Sequence, residues 1–297
     1  MMALADFLGA HAVAVLLTIA VLALSLTAAA WHLLQKYSGP AWRLITAVLA
    51  RARTLVKRHA PEISASRPLV RAFDIARYLG VQALLSIAVC VAAFAAFFEI
   101  ADEIGAGEEL AQFDTALAAS LKAHLSPAVL EAFALITRLG DPEVLIGLAT
   151  LIALILLWRR QWLHAWSWIV ATSLGAVLNR GLKALFERSR PDHDHLAVIE
   201  TGWSFPSGHA SGSLIVYGLL GYLIFRHTPP RWHVPAVLLA VLLVVFVGFS
   251  RVILQVHYLS DVLAGYAFAA AWVALWIAGL EIRASTADPS TSRYPPA

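Results

Sequence analysis

Residues 206–225 read PSGHASGSLIVYGLLGYLIF. The stretch opens on a tight polar tetrapeptide, Pro206-Ser207-Gly208-His209, and runs on as apolar sequence to Phe225. An apolar run of about 20 residues is what a helix needs to cross a bilayer. The polar opening needs a separate reason, because two more polar clusters break otherwise apolar sequence. Upstream is Lys183 and, seven residues on, Arg190-Pro191. Downstream are Ser250-Arg251, then His257, then Asp261. Two histidines, an aspartate and three cations are thus gathered in three short segments.

Read outward, the chain shows six further apolar runs, at about 10–34, 79–100, 144–158, 165–182, 234–249 and 258–280. Composition agrees: 60% of residues are hydrophobic and 14% charged, and the mean hydropathy is +0.74. A soluble domain is about 45–50% apolar and about 25% charged. The expected fold class is therefore all-α, a polytopic transmembrane helical bundle. The net charge is only +3, which gives no reason to expect a nucleic acid partner. The single cysteine, Cys90, lies in an apolar run and reads as packing.

Between the runs the reading is coarser. Residues 1–34 are expected to be an N-terminal transmembrane helix. Ala28-Ala29-Ala30 resembles a signal-peptidase site, but the run lacks a basic leader and is long enough to span, so an uncleaved helix is preferred. Residues 35–78 carry nine Lys or Arg, with apolar positions between them at helical spacing. Two readings stand: a basic amphipathic helix on an anionic membrane face, or a solvated cytoplasmic linker. After the acidic residues from Asp102 to Glu109, Leu110, Phe113, Leu117 and Leu121 predict a short interfacial helix. An apolar-faced segment at 129–139 stops at Gly140-Asp141-Pro142, a strong stop signal. The Ser-, Thr- and Pro-rich tail, 281–297, is expected to be disordered and cytoplasmic.

Seven spans force the loops to alternate sides. The side holding residues 35–78 then carries fifteen of the 22 Lys and Arg, and the opposite side seven. The positive-inside rule makes the richer side cytoplasmic. Five of the seven outer cations, namely Arg180, Lys183, Arg188, Arg190 and Arg251, belong to or adjoin the polar clusters. Cations kept against the topological bias are more often used for something. Span counting alone also returns all three clusters to one extracytoplasmic membrane surface.

Lys183, Arg190 and Arg251 near one spot imply an anionic ligand, and an arginine fork matches phosphate oxygens. Lys183 at a helix C-terminus also answers to the helix dipole alone. Ser207 sits where an N-cap is expected, so the Gly208 and His209 amides form a seat for an anion, with no Gly208 side chain in the way. His257 and Asp261 are four apart and share a helical face. Such a carboxylate fixes the imidazole tautomer and raises its basicity. With two histidines, one can attack phosphorus while the other protonates the leaving oxygen.

Taken together, Lys183-x6-Arg190-Pro191, Pro206-Ser207-Gly208-His209 and Ser250-Arg251-x5-His257-x3-Asp261 resemble the three-part signature of the type 2 phosphatidic acid phosphatase (PAP2) superfamily. All three parts are complete and in order. The resemblance covers residues 79–280 as a six-helix core, with one extra N-terminal transmembrane helix outside it. It implies His257 as nucleophile, forming a phosphohistidine, with Asp261 orienting it. His209 would be the general acid for the leaving group and then the base for water. Lys183, Arg190, Ser207, Gly208 and Arg251 would hold the phosphoryl group.

The resemblance implies no metal and no cofactor, and the three cations with a helix N-terminus already suit the charge of the transition state. Asp192-His193-Asp194-His195 has the alternation of a divalent-ion site, but it reads more simply as a polar loop. Trp203 and Phe205 read as interfacial aromatics or as the lining of a lipid entry. Gly208 and Gly212 predict close helix packing.

The expected activity is hydrolysis of a lipid monophosphate or diphosphate, of the undecaprenyl diphosphate, phosphatidylglycerol phosphate or phosphatidic acid kind. Its expected setting is the outer face of a bacterial-type cell membrane. The partners are the lipid substrate and membrane lipids. A lipid phosphotransferase is the near alternative and an anion transporter the remote one. Soluble haloperoxidases share the site pattern but not seven apolar spans.

Overall fold

The structure is a computed structural model that describes residues 1–59, 81–105, 107–192, 198 and 200–287. Among these residues ten α-helices form: α1 (Met2–Ala10), α2 (Ala12–His59), α3 (Val81–Asp102), α4 (Glu109–His124), α5 (Pro127–Thr137), α6 (Pro142–Trp158), α7 (Trp162–Phe186), α8 (Gly208–His227), α9 (His233–Ile253) and α10 (Leu259–Ala287). Among the described residues seven segments are long and apolar enough to cross a membrane: 12–37, 85–102, 127–158, 162–186, 208–227, 230–253 and 259–283. The chain is a multi-pass helical membrane protein. Leu154, Trp166, Val177 and Leu185 stand exposed on these spans, as a lipid-facing surface requires.

Local sequence explains most helix ends. Pro127 and Pro142 open α5 and α6 at the first turn, where a missing N–H costs nothing. The Gly140-Asp141-Pro142 stop appears as a 3-10 turn over Arg138–Gly140 between them. Glu187 closes α7 in the left-handed conformation, φ 46°. The interfacial helix expected near 110–121 is α4.

Four expectations need correction or limits. The first span ends at 37, close to expectation, but its helix does not: α2 continues through Pro40 to His59, so residues 35–59 are helical, one of the two readings of the basic stretch. Residues 60–78 of the expected linker, and 79–80 of the expected core, lie outside the described residues. Helix α10 runs on to Ala287, so the start of the supposed disordered tail is helical, and 288–297 lie outside the described residues. The single helix expected over residues 1–34 is broken at His11, which sets α1 apart from α2.

The chain divides into two compact units, residues 1–27 with 90–273, and residues 28–89 with 274–297. In the second, Leu44, Val48 and Leu55 are exposed on a helix that also exposes Arg43, Arg51 and Arg58.

In the first unit, α8 is the most enclosed span; it packs against α9, α7 and α6. Small residues allow this. A Cβ on Gly212 would fall 2.9 Å from Leu145 of α6, and one on Gly175 of α7 would fall 2.7 Å from Ile215 of α8. The close packing predicted for Gly212 is thus real, and its neighbour is α6. Helix α1 lies along α4, with Ala5 buried beside Leu117 and Leu121, and Val252 and Val262 in the same cluster. Leu16 of α2 joins Leu130, Phe133, Ile253, Leu254 and Val256 in a second cluster.

Candidate active site

Three connections meet at one end of the first unit, and each is fixed by its own backbone. Ser207 caps α8, its hydroxyl accepting from the Ala210 amide at 3.5 Å, so the helix begins at Gly208-His209. The Ser207 amide donates to the Asp261 carbonyl at 2.9 Å, which ties this cap to the start of α10. A Cβ on Gly265 would lie 2.8 Å from the Ser207 carbonyl oxygen, so only glycine lets the two segments come so close.

The turn between α9 and α10 is equally tight. Arg251 stands in the last turn of α9, and its carbonyl accepts from the amides of Val256 and His257 at 3.2 and 3.3 Å. Gln255 takes φ 53° to make the reversal. His257 therefore precedes α10, while Asp261 lies in its first turn.

His257 is buried, and its two nitrogens face different groups. Nδ1 lies 3.4 Å from Asp261 Oδ2, a long contact, and Nε2 lies 3.2 Å from Arg190 Nη1. Asp261 Oδ2 also accepts from the Tyr258 amide at 2.9 Å. Burial first, and then the charges of Arg251, Lys183, Arg190 and His209, hold His257 well below the ordinary imidazole value. The expected gain in basicity from Asp261 is outweighed. Both effects, burial and the nearby cations, favour the neutral ring.

The expected cations converge, but each also holds backbone. Lys183 donates to the carbonyls of Trp203 and Ser204 at 2.6 and 3.2 Å. Arg190 donates to the carbonyls of Val256 at 2.7 Å and Gly202 at 3.0 Å. Arg251 is fully buried and donates to Thr137 Oγ1 at 2.8 Å and to Glu200 Oε1. Glu200 Oε2 is 3.7 Å from Arg190, so this carboxylate spans both arginines. Gly208 stands near Lys183: a Cβ on it would lie 3.9 Å from Lys183 Cε.

Four residues escaped the sequence reading as site groups. Arg188 donates to Asp261 Oδ1 at 2.7 Å, to Ser260 Oγ at 2.7 Å and to Asp114 Oδ2 at 2.9 Å. Asp114 in turn accepts from the Ser260 amide at 3.2 Å. Glu200 spans the two arginines, and Asp141 Oδ1 lies 3.0 Å from His209 Nε2. Arg188 was visible only as an outer cation, Asp114 as part of an acidic stretch and Asp141 as a turn former. Nothing near Glu200 in sequence marks it.

Phe205 is fully buried, its ring 4.8 Å from that of Phe186 and 5.8 Å from that of Phe97. It is packing, not an interfacial residue, while Trp203 stands partly exposed. His193, Asp194 and His195 lie outside the described residues. Among the described residues no group of three His, Cys, Asp or Glu is placed to hold a metal ion.

Residues 164–283, which carry all three clusters, match the model of the PAP2 superfamily. The similarity to the PAP2 superfamily thus lies in this segment, about two fifths of the chain. The chain is 34% identical over 133 residues to Phosphatidylglycerophosphatase B of Bacillus subtilis (strain 168), covering 44% of this chain and 65% of that protein. It is 36% identical over 115 residues to Decaprenylphosphoryl-5-phosphoribose phosphatase of Mycobacterium tuberculosis (strain ATCC 25618 / H37Rv), covering 38% of this chain and 57% of that protein. The matches thus span 65% and 57% of the length of these curated relatives, less than two thirds in each case. The fold is similar to a crystal structure described as the first transmembrane PAP2-type phosphatidylglycerolphosphate phosphatase from Bacillus subtilis. The TM-score is 0.60 and the identity 28%, over 69% of this chain and 98% of that one.

Proposed function

We propose that this protein is a PAP2-type membrane phosphatase that hydrolyses a lipid phosphate monoester or diphosphate at the extracytoplasmic face, through a phosphohistidine and without a metal. The observation that carries the reading is the placement of His257. Its Nδ1 faces Asp261 and its Nε2 faces the Arg190 guanidinium, where a phosphoryl oxygen would also be held.

The steps follow from that geometry. Nε2 of neutral His257 attacks phosphorus, and Nδ1–H is stabilised by Asp261 as the ring becomes charged. Arg190, Arg251 and Lys183 neutralise the phosphoryl oxygens, with the Ser207-Gly208 cap beside them, which is where such a transition state gathers charge. His209 gives a proton to the leaving oxygen. It then takes one from the water that splits the phosphorus–nitrogen bond. Free phosphate leaves and His257 is restored.

The substrate class draws support from the relatives. They are named for phosphatidylglycerol phosphate, a decaprenylphosphoryl sugar phosphate and, in Rhizobium johnstonii (strain DSM 114642 / LMG 32736 / 3841), lipid A. All are phosphates on amphiphiles, and a site at the end of a transmembrane bundle receives an amphiphile by lateral diffusion. The excess of cations on the opposite loops supports the outer face.

The test is phosphate release by the full chain in detergent across phosphatidic acid, phosphatidylglycerol phosphate and undecaprenyl diphosphate. At least one is turned over, EDTA leaves the rate unchanged, and His257→Ala abolishes it. Label passing to a second lipid with no free phosphate would make the protein a phosphotransferase. Loss in EDTA restored by a divalent ion would overturn the metal-free chemistry.

A further inference from the structure

Asp141 occupies the N-cap position of α6, with the extended backbone of a capping residue. An aspartate there ordinarily turns its carboxylate onto the first amides of its own helix. This one makes no such bond. Its Oδ1 lies instead 3.0 Å from Nε2 of His209 on α8. The pair joins two spans across 68 residues of sequence, with Asp141 about one-third exposed and His209 almost enclosed.

The approach is built by the turn before it. The Tyr217 hydroxyl of α8 donates to the Leu139 carbonyl at 2.7 Å, which clamps the 138–140 turn onto the helix that carries His209. A Cβ on Gly140 would lie 2.4 Å from Val247 Cγ1 and 3.0 Å from His209 Cδ2. Any larger residue would push the turn, and Asp141 with it, away from the imidazole.

We propose that Asp141 is a positioning residue for His209, accepting its Nε2–H and leaving Nδ1 as the atom that exchanges a proton with the leaving oxygen. This rests on the phosphatase reading above. The site would then hold two imidazole–carboxylate pairs of opposite task, Asp261 with the nucleophile and Asp141 with the acid. The charges that reach His209 are Arg251 from α9, Lys183 from α7, and Arg190 and Glu200 from the connection between α7 and α8. Asp141 itself feels Arg251 and Arg138. Three of the four groups around His209 are cations, so a carboxylate in direct contact favours the protonated ring that the first step needs. In that step the proton leaves Nδ1 for the oxygen as the phosphorus–oxygen bond breaks. In the second step a water proton returns to Nδ1.

Two substrates of different leaving group separate this role from packing. An alkyl lipid phosphate needs the proton; 4-nitrophenyl phosphate, whose phenolate leaves unaided, does not. For Asp141→Asn, kcat/KM on the alkyl phosphate is expected to fall about 100-fold while that on the aryl phosphate stays within about threefold. The alkaline limb of the alkyl pH profile is expected to move to lower pH, and Asp141→Glu to recover part of the rate. Equal loss on both substrates with an unmoved pH profile, or no loss on either, would overturn the proposal. His257→Ala, run alongside, separates the outcomes: activity surviving there defeats the phosphatase reading itself, whatever Asp141→Asn does.

Discussion

Arg188 shows how much of the site lies one contact behind the reacting groups. Its guanidinium is wedged between Asp261 and Asp114, both fully buried, and also holds Ser260. A lysine carries its three donors on one nitrogen, so it cannot reproduce the fork by which Arg188 reaches Asp261 from Nη1 and Asp114 from Nη2. Arg188→Lys is therefore expected to let Asp261 shift and His257 turn. A misplacement of about 1 Å costs on the order of 100-fold in rate, so kcat should fall strongly while KM changes little. Arg188→Met leaves two buried carboxylates unpaired, a loss of about 3–5 kcal/mol, read as a drop in thermal stability in detergent. Full activity in the lysine variant would show that Asp261 does not need the bridge. None of this was readable from spacing: Asp114 and Ser260 are 146 residues apart, and nothing local in sequence says they meet.

Helix ends, not helix middles, make this site. Ser207 opens α8, Arg251 closes α9, Asp261 lies in the first turn of α10 and Lys183 in the last turn of α7. Their neighbourhood was readable because apolar runs have countable lengths and loops must alternate sides. The breaks in regularity were less so. Helix α2 passes through Pro40 although a proline removes one backbone bond, and the break that sets α1 apart was hidden because nine residues give too short a period to stand out. The contact between α8 and α10 yields a direct test. Gly265→Ala places a methyl against the Ser207 carbonyl, which must move the cap of α8. Turnover and melting temperature should both fall. Gly147→Ala, on α6 with nothing within 4 Å of the added carbon, should be neutral or stabilising by up to about 1 kcal/mol. Equal behaviour of the two variants would mean the α8–α10 approach is not constrained by that glycine.

Across the whole molecule, the seven spans and the three clusters answer to one requirement. Charged groups inside an apolar protein are costly unless paired, and here nearly every one is. Asp141 meets His209, Asp261 meets His257 and Arg188, and Glu200 meets Arg251. The sequence made the cations and histidines visible because such residues are scarce in apolar runs. It showed Asp261 through its spacing from His257, but hid Asp141 and Glu200, since Asp and Glu outside helices are ordinary. The central claim is that phosphorus becomes bonded to His257. The most direct measurement is to mix the His209→Ala variant of the full chain with 4-nitrophenyl phosphate labelled on phosphorus, whose phenolate leaves without the acid, then quench in base and locate the label. The account predicts an acid-labile, base-stable label on His257 that is absent from His257→Ala. A label on any other residue, or lipid hydrolysis persisting in His257→Ala, would contradict it.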